Sequence, residues 1–281
     1  MLAYTTKNIE WLYNGSDNLI KRIVRALFFS KKPCYGESTI KRYGIKFKRS
    51  KAEQQEWDKC KFDIVYFAEK YIKIFNPVTG NISQLRDYQK DLLFVLTHND
   101  RVIVANSRQM GLTTIHKIYA IWLLLFHSDK IQILNPNMSQ NNHMMSGLRE
   151  IYRNIPYFLQ KGVKAFSKTT IELDDSIVTC ARLQKPTMVL ADNAGYYSNG
   201  TSNVLQNILE TKSKCLISST PYIKNLFYDL YTRPDKYKLK DIRIHYSIRQ
   251  DLDDNWIKNM QKWLGIEAFN NEFNLMFKSR K

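Results

Sequence analysis

One stretch constrains the fold of this chain more than any other. Val102-Ile-Val-Ala105 is a short apolar run, and the polar turn Asn106-Ser-Arg-Gln-Met-Gly-Leu-Thr-Thr114 comes directly after it. An apolar helical stretch comes next, ending in Ile118-Tyr-Ala-Ile-Trp-Leu-Leu-Leu-Phe126. Strand, tight turn and helix N-terminus together form the context of a phosphate-binding loop, where backbone amides and the helix end face an anion. Gly111 and Thr113 occupy positions that such a loop needs. Leu112 stands between them, where a phosphate-binding lysine belongs.

The same alternation continues along the chain. Helices are expected over Phe62–Phe75, ended near Asn76-Pro77, and over Arg86–Leu96. After them come a strand at 102–105, a helix at 113–126, a strand at 130–134 and a helix at 140–154. Strands near 170–180 and at 187–191, a helix at 202–210 and a strand at 214–218 complete the series. Strands alternating with helices predict an α/β domain: a mostly parallel sheet with helices on both faces, of the P-loop NTPase kind. Ligands of such sheets sit at the carboxyl ends of the strands. This domain is expected over 57–281, preceded by a basic N-terminal extension over 1–56.

Charge suggests the partner. Among 281 residues, Lys and Arg number 43 against 26 Asp and Glu, a formal net charge of +17 spread along the whole chain. So large a positive field attracts polyanions, and nucleic acid is the first to consider. Within the extension, Leu19-Ile-Lys-Arg-Ile-Val-Arg-Ala-Leu-Phe28 has amphipathic helical spacing with a cationic face. Lys41, Arg42, Lys46, Lys48 and Arg49 are interleaved with Tyr43 and Phe47, a mixture that suits a nucleic-acid backbone and equally a solvated hairpin. Cys34, Cys60, Cys180 and Cys215 are widely separated, which argues against a zinc site or a disulfide framework. The longest apolar run is too short to span a bilayer, and the N-terminus has no signal-peptide pattern. A soluble protein in a reducing compartment is the expectation.

Two further segments fall at strand ends. Met188-Val-Leu-Ala-Asp192 closes on an acid, as does the strand that holds nucleotide-bound magnesium beside a phosphate loop. The next residue is Asn193, whose amide cannot act as a base. Cys215-Leu-Ile-Ser-Ser-Thr-Pro221 ends in three hydroxyls, Ser218, Ser219 and Thr220, which could sense phosphate or simply make a turn.

With Gln84-Leu-Arg-Asp-Tyr-Gln89 upstream, the ordered set resembles the ATPase domain of the large terminase subunit of tailed bacteriophages, nearest the myovirus type. The likeness runs from about Trp57 to about Phe277 and includes Trp57-Asp-Lys-Cys-Lys61, Tyr66-Phe-Ala-Glu-Lys70 and Ile171-Glu-Leu-Asp174. It implies that Gln84 reads adenine and that Ser107, Arg108, Gln109, Met110, Gly111, Leu112, Thr113 and Thr114 wrap the phosphates. It implies further that Arg108 acts on the γ-phosphate in cis, that Thr113 and Asp192 hold magnesium, and that Ser218 to Thr220 couple the site to the rest of the fold. Each has a plainer alternative: Gln84 and Thr113 as helix caps, Arg108 as a surface cation, Asp192 as a strand end.

The departures from the family are chemical. Lysine is normal at position 112 and glutamate at 193; the segment between Ile177 and Met188 is short, and the Arg-Gly pair expected before Asp192 is absent. No acidic cluster stands in for the nuclease domain that large terminase subunits carry. Leucine leaves phosphate charge uncompensated, and loss of a water-orienting carboxylate costs about 10²–10⁴ in rate. The expectation is therefore a degenerate ATPase-fold protein, inert or weak as an ATPase, holding ATP and magnesium weakly or not at all. It would bind DNA or a phage packaging or structural protein, in the host cytoplasm or the phage particle, with oligomers open. The alternatives are a working packaging motor with a deviant loop and a separately encoded nuclease, or a nucleic-acid-binding protein that has lost nucleotide.

Overall fold

The computed structural model describes residues 34–75 and 82–278. The amphipathic stretch 19–28 lies outside them. Helix α1 (Lys51–Phe62) starts at a capping box in which Ser50 and Glu53 satisfy each other's backbone amides. Helix α2 (Ile64–Tyr71) comes next, capped by Asp63, whose carboxylate accepts the Tyr66 amide at 2.8 Å. The single helix expected over 62–75 is thus a break at Asp63 between two helices. The residue is extended, with φ −129°, because its side chain competes for the amides of the turn it would otherwise join. The division expected at 56/57 falls inside α1.

A two-stranded hairpin, β1 (Ile74–Phe75) and β2 (Ile82–Ser83), leads to α3 (Asp87–His98). The main sheet then begins with β3 (Arg101–Asn106), α4 (Leu112–Phe126), β4 (Lys130–Leu134) and α5 (Met138–Asn154). Three short strands, β5 (Val163–Phe166), β6 (Thr170–Leu173) and β7 (Ile177–Thr179), precede β8 (Met188–Ala191). Helix α6 (Asn199–Leu209), β9 (Lys214–Ser219), α7 (Leu226–Thr232), β10 (Lys240–Ile244), α8 (Asp254–Leu264) and α9 (Ile266–Glu272) complete the chain.

The eight-stranded sheet has the order β10-β3-β9-β8-β4-β7-β6-β5. It is parallel from β10 to β7, and β6 runs antiparallel to both β7 and β5. The expected α/β fold with a mostly parallel sheet is the observed one. Strand β3 sends Val102 and Val104 into the larger apolar core and Ile103 and Ala105 into the second, on the opposite face. The two-residue period of a strand therefore builds both layers at once. Helix α4 is buried at 12 of its 15 positions, which explains why its sequence is apolar almost all round. Among the described residues no helix is long and apolar enough to cross a membrane.

Strand order brings three distant segments together. Strand β9 lies between β3 and β8, with Ala105 opposite Ser219 and Ala191 opposite Ile217. The carboxyl ends of all three strands open onto one edge, where the loop after β3, Asp192 after β8 and the end of β9 converge.

Candidate phosphate-loop site

The loop after β3 turns through two left-handed residues, Gln109 at φ 63° and Gly111 at φ 74°. Glycine is needed at 111 on two counts. It takes the left-handed conformation without a Cβ penalty, and a Cβ there would press against the amide end of the Gln89 side chain. Two side chains of α3 grip the loop from outside: Tyr88 Oη and Gln89 Nε2 donate to the Met110 carbonyl at 3.0 and 3.2 Å. Arg249 Nη1 donates to the Gln109 carbonyl at 3.2 Å, and Asp251 pairs with both Arg249 and Arg86. The loop is thus held by its carbonyls.

Beneath the loop, Asp192 collects donors. Thr113 Oγ1 donates to its Oδ2 at 2.6 Å, Ser218 Oγ to its Oδ1 at 3.0 Å, and the Asn193 amide to Oδ1 at 3.0 Å. His116, fully buried one helical turn beyond Thr113, meets Ser218 Oγ through Nε2 at 2.8 Å. Ser218 spends its one proton on Asp192, so His116 must donate, which fixes the Nε2–H tautomer. Its Nδ1 then carries only a lone pair, and that nitrogen has no partner among the described residues. Burial pushes the imidazole pKa down, against the pull of Asp192, so a neutral ring fits the chain His116–Ser218–Asp192.

The opposite wall is built differently. Leu112 is 4% exposed and belongs to the main apolar core. Arg108 pairs with Glu272, Nη1 to Oε2, at 2.8 Å, and its amide donates to the Glu272 carbonyl at 2.7 Å. The Glu272 hydrogen bond raises the guanidinium pKa further. Glu272 Oε1 also accepts from Tyr196 Oη at 3.2 Å, and Tyr196 Oη lies 2.8 Å from Thr220 Oγ1. Asn193 is left-handed at φ 56°, and its side-chain amide donates to Gln140 Oε1 at 3.2 Å. A short-side-chain Asx residue suits that backbone.

Between the walls lies an open cleft of about 440 Å³. Of the expected nucleotide residues, Arg108, Gln109, Met110, Gly111, Leu112 and Thr113 line it, together with Asp192 and Asn193. Gln84, Ser107 and Thr114 do not. Ser107 Oγ instead donates to the Phe273 carbonyl at 2.6 Å and accepts the Tyr246 amide, so it ties the loop to the C-terminal segment. Thr114 lines a separate cavity of about 180 Å³ beside Lys117 and Gly147. Gln84 is exposed ahead of α3, two residues before Arg86, which lines another open cleft of about 520 Å³ with Tyr88, Ile248 and Asp251. Of the three hydroxyls at the end of β9, only Thr220 reaches this cleft. Ser219 Oγ donates to the Thr220 carbonyl and accepts the Gly195 amide.

The candidate DNA cations need correction. Lys41 is 4% exposed, and its ammonium donates to the Gln160 carbonyl at 2.7 Å above the rings of Phe47 and Tyr157. Burial first, and then Arg49, push its pKa down to about 8. Arg49 donates to the Phe158 carbonyl and stacks on Trp57, and Arg42 is half-buried at its bridge to Val163. Lys46 and Lys48 alone of the five are exposed. Phe47, one of the aromatics interleaved with these cations, packs edge-on against Tyr157.

Sequence reading missed Glu272, Tyr196, Gln140, Gln89 and His116. Gln89 closes the motif that had pointed to Gln84. His116 was signalled only as a lone polar residue in an apolar helix. Nothing local marks Glu272. No metal-binding group of three or more His, Cys, Asp or Glu occurs among the described residues.

No family model matches the sequence. The fold does match phage proteins. The ATPase domain of the Thermus phage P74-26 large terminase aligns at a TM-score of 0.55 and 14% identity, over 69% of this chain and 94% of that domain. The HK97 bacteriophage large terminase aligns at 0.56 and 12%, over 76% of this chain and 54% of that one. A large terminase from a thermophilic bacteriophage, in complex with ADP, aligns at 0.52 and 10%, over 78% of this chain and 53% of that one. This chain has the fold of a phage large terminase ATPase domain, and it spans about half the length of the latter two terminases.

Proposed function

We propose that this chain is a degenerate member of the terminase ATPase-domain group, serving DNA packaging through binding or assembly, with little or no ATP hydrolysis. The observation that supports this reading most directly is the charge of the cleft. Among the described residues its lining holds one cation, Arg108, already paired, and two carboxylates, Asp192 and Glu272. A triphosphate meets net negative charge there, although the whole chain carries +17. Loop amides and a magnesium ion held by Thr113 and Asp192 would supply part of the attraction and too little for tight binding. The partner on this reading is DNA or a component of the phage particle. Binding to DNA should fall steeply with salt and show little sequence preference.

Calorimetry with ATP and magnesium, beside a steady-state hydrolysis assay, tests the proposal. Affinity weaker than micromolar and turnover at background are expected. A working motor with a deviant loop is the second reading, and the intact Thr113–Asp192–Ser218 arrangement favours it. Fast hydrolysis abolished by Asp192→Ala would establish that reading and end the first. Complete indifference to nucleotide, with DNA binding retained, would leave a nucleic-acid-binding protein on an ATPase fold.

A further inference from the structure

We propose that Glu272 sets the phosphate affinity of this cleft, by occupying the cation that faces the phosphates and adding a negative charge of its own. The inference rests on the reading above, that the cleft is a site for the phosphates of a nucleotide. Its basis is geometric. Glu272 is the last residue of α9, and only 18% of its side chain is exposed. Both carboxylate oxygens are engaged from the cleft side, Oε2 by Arg108 and Oε1 by Tyr196. The Glu272 main-chain carbonyl holds the Arg108 amide, and the adjoining Phe273 carbonyl holds Ser107 Oγ. The contacts of Ser107 and Arg108 fix the start of the phosphate loop to the end of α9, and Tyr196 holds the carboxylate from its other side. The carboxylate is pinned beside the loop and cannot swing into solvent without breaking its bonds to Arg108 and Tyr196.

The consequence is electrostatic. A guanidinium paired with a carboxylate offers an approaching phosphate little net charge, and its strongest donor directions are already used. Leu112 offers nothing in its place. Lys117 points the other way: its ammonium lies 3.4 Å from His143 Nε2 and would meet a Cβ at Gly147. Anion affinity therefore turns on whether Arg108 is free. A phosphate that binds must take Arg108 from Glu272 and tolerate the carboxylate left behind. Because that carboxylate is tied to α9, binding should also loosen the contact between α9 and the loop.

The test uses the full chain, with calorimetry against ATP and ADP in magnesium. Glu272→Gln keeps the shape and one acceptor oxygen while removing the charge. It should bind ATP about tenfold more tightly than the unaltered protein or better, because one negative charge leaves a partly desolvated cleft. Most of the gain should be lost in Glu272→Gln with Arg108→Ala, since the freed cation supplies the larger part, and only the relief from the carboxylate's own charge should remain. Glu272→Asp keeps the charge and should stay as weak as the original. Leu112→Lys serves as the control for the underlying site. If Leu112→Lys binds more tightly and Glu272→Gln does not, the role of Glu272 is disproved while the phosphate site stands. If neither gains affinity, both readings fall. Thermal melting of each variant confirms that it is folded. Should Glu272→Gln prove unstable, Glu272→Ala carries the same comparison.

Discussion

The two walls of the cleft are built from opposite materials. On the proposed metal-side wall, the polar groups answer one another: Thr113 and Ser218 donate to Asp192, and His116 donates to Ser218. Asp192, His116 and Ser218 are buried there, and removing any of them would orphan a neighbour. On the proposed phosphate-side wall, Leu112 is absorbed into the core and the Arg108 side chain is 60% exposed and paired with Glu272. Asn193 holds a turn. The difference teaches that a residue kept by its structural partners and a residue kept only by a ligand can be told apart without any ligand present. The metal-side wall contributes to folding through its polar groups whether or not it binds anything, whereas on the other wall Leu112 serves the core and the exposed Arg108 side chain would matter chiefly when a ligand is bound.

The largest expected effect tests that division directly. Asp192→Ala leaves two hydroxyls and a backbone amide without their acceptor, and should lower stability by about 2–3 kcal/mol. Asp192→Asn should cost clearly less, because the hydroxyls can rotate to one remaining carbonyl oxygen. Urea unfolding monitored by circular dichroism reads both. If Asp192→Ala is as stable as the original protein, the metal-side wall has no structural role and the comparison is wrong.

Much of this was legible in the chain, and the gaps have physical causes. The central strands β3, β8 and β9 are buried on both faces and read as continuous apolar runs. Edge strand β10 (Lys240–Ile244) alternates charge with isoleucine and exposes most of its residues, so it looks like loop. Strand β5 is four residues long and pairs through a bulge. The motifs at the ends of the central strands lay where the sheet then put them. Glu272 was invisible because it is 164 positions from Arg108, and only the return of α9 to the loop joins them. Lys41 was misread because cations among aromatics fit both a nucleic-acid surface and a cation–π cage, and burial decides between them.

Next in size is the loop backbone, which separates shape from charge on the phosphate-side wall. Gly111→Ala adds left-handed strain of about 1–2 kcal/mol and a clash with the Gln89 side-chain amide. A drop in melting temperature should result, and Gln89→Ala in the same chain should relieve the contact but not the strain. Full rescue by Gln89→Ala would show that the glycine serves close approach alone.

Restoring ligand chemistry should cost a little stability and return some binding. Lysine at 112 must carry its charge out of a site that is 4% exposed, and glutamate at 193 must sit at φ 56°. Together the changes should cost about 2 kcal/mol. Leu112→Lys would compensate phosphate charge, while Asn193→Glu could orient water beside a magnesium ion that Asp192 and Thr113 would hold on the proposed reading. Neither alone should give turnover, because phosphate placement and water placement meet in one transition state. Nucleotide affinity should rise first, with only slow hydrolysis in the double variant. A stable, tightly binding and still inert double variant would place the remaining defect elsewhere, with the short segment before Met188 the first place to look.

The smallest effect is expected at Arg108, and its smallness is informative. The side chain is mostly exposed, so its pairing with Glu272 is screened by water. The amide contact with the Glu272 carbonyl belongs to the backbone and survives substitution. Arg108→Ala should therefore lower stability by less than about 1 kcal/mol. A double-mutant cycle with Glu272→Gln should give a coupling of the same small size and weaken further at high salt. A loss matching that of Asp192→Ala would make Arg108 a structural residue, and the two walls would then differ in location but not in kind.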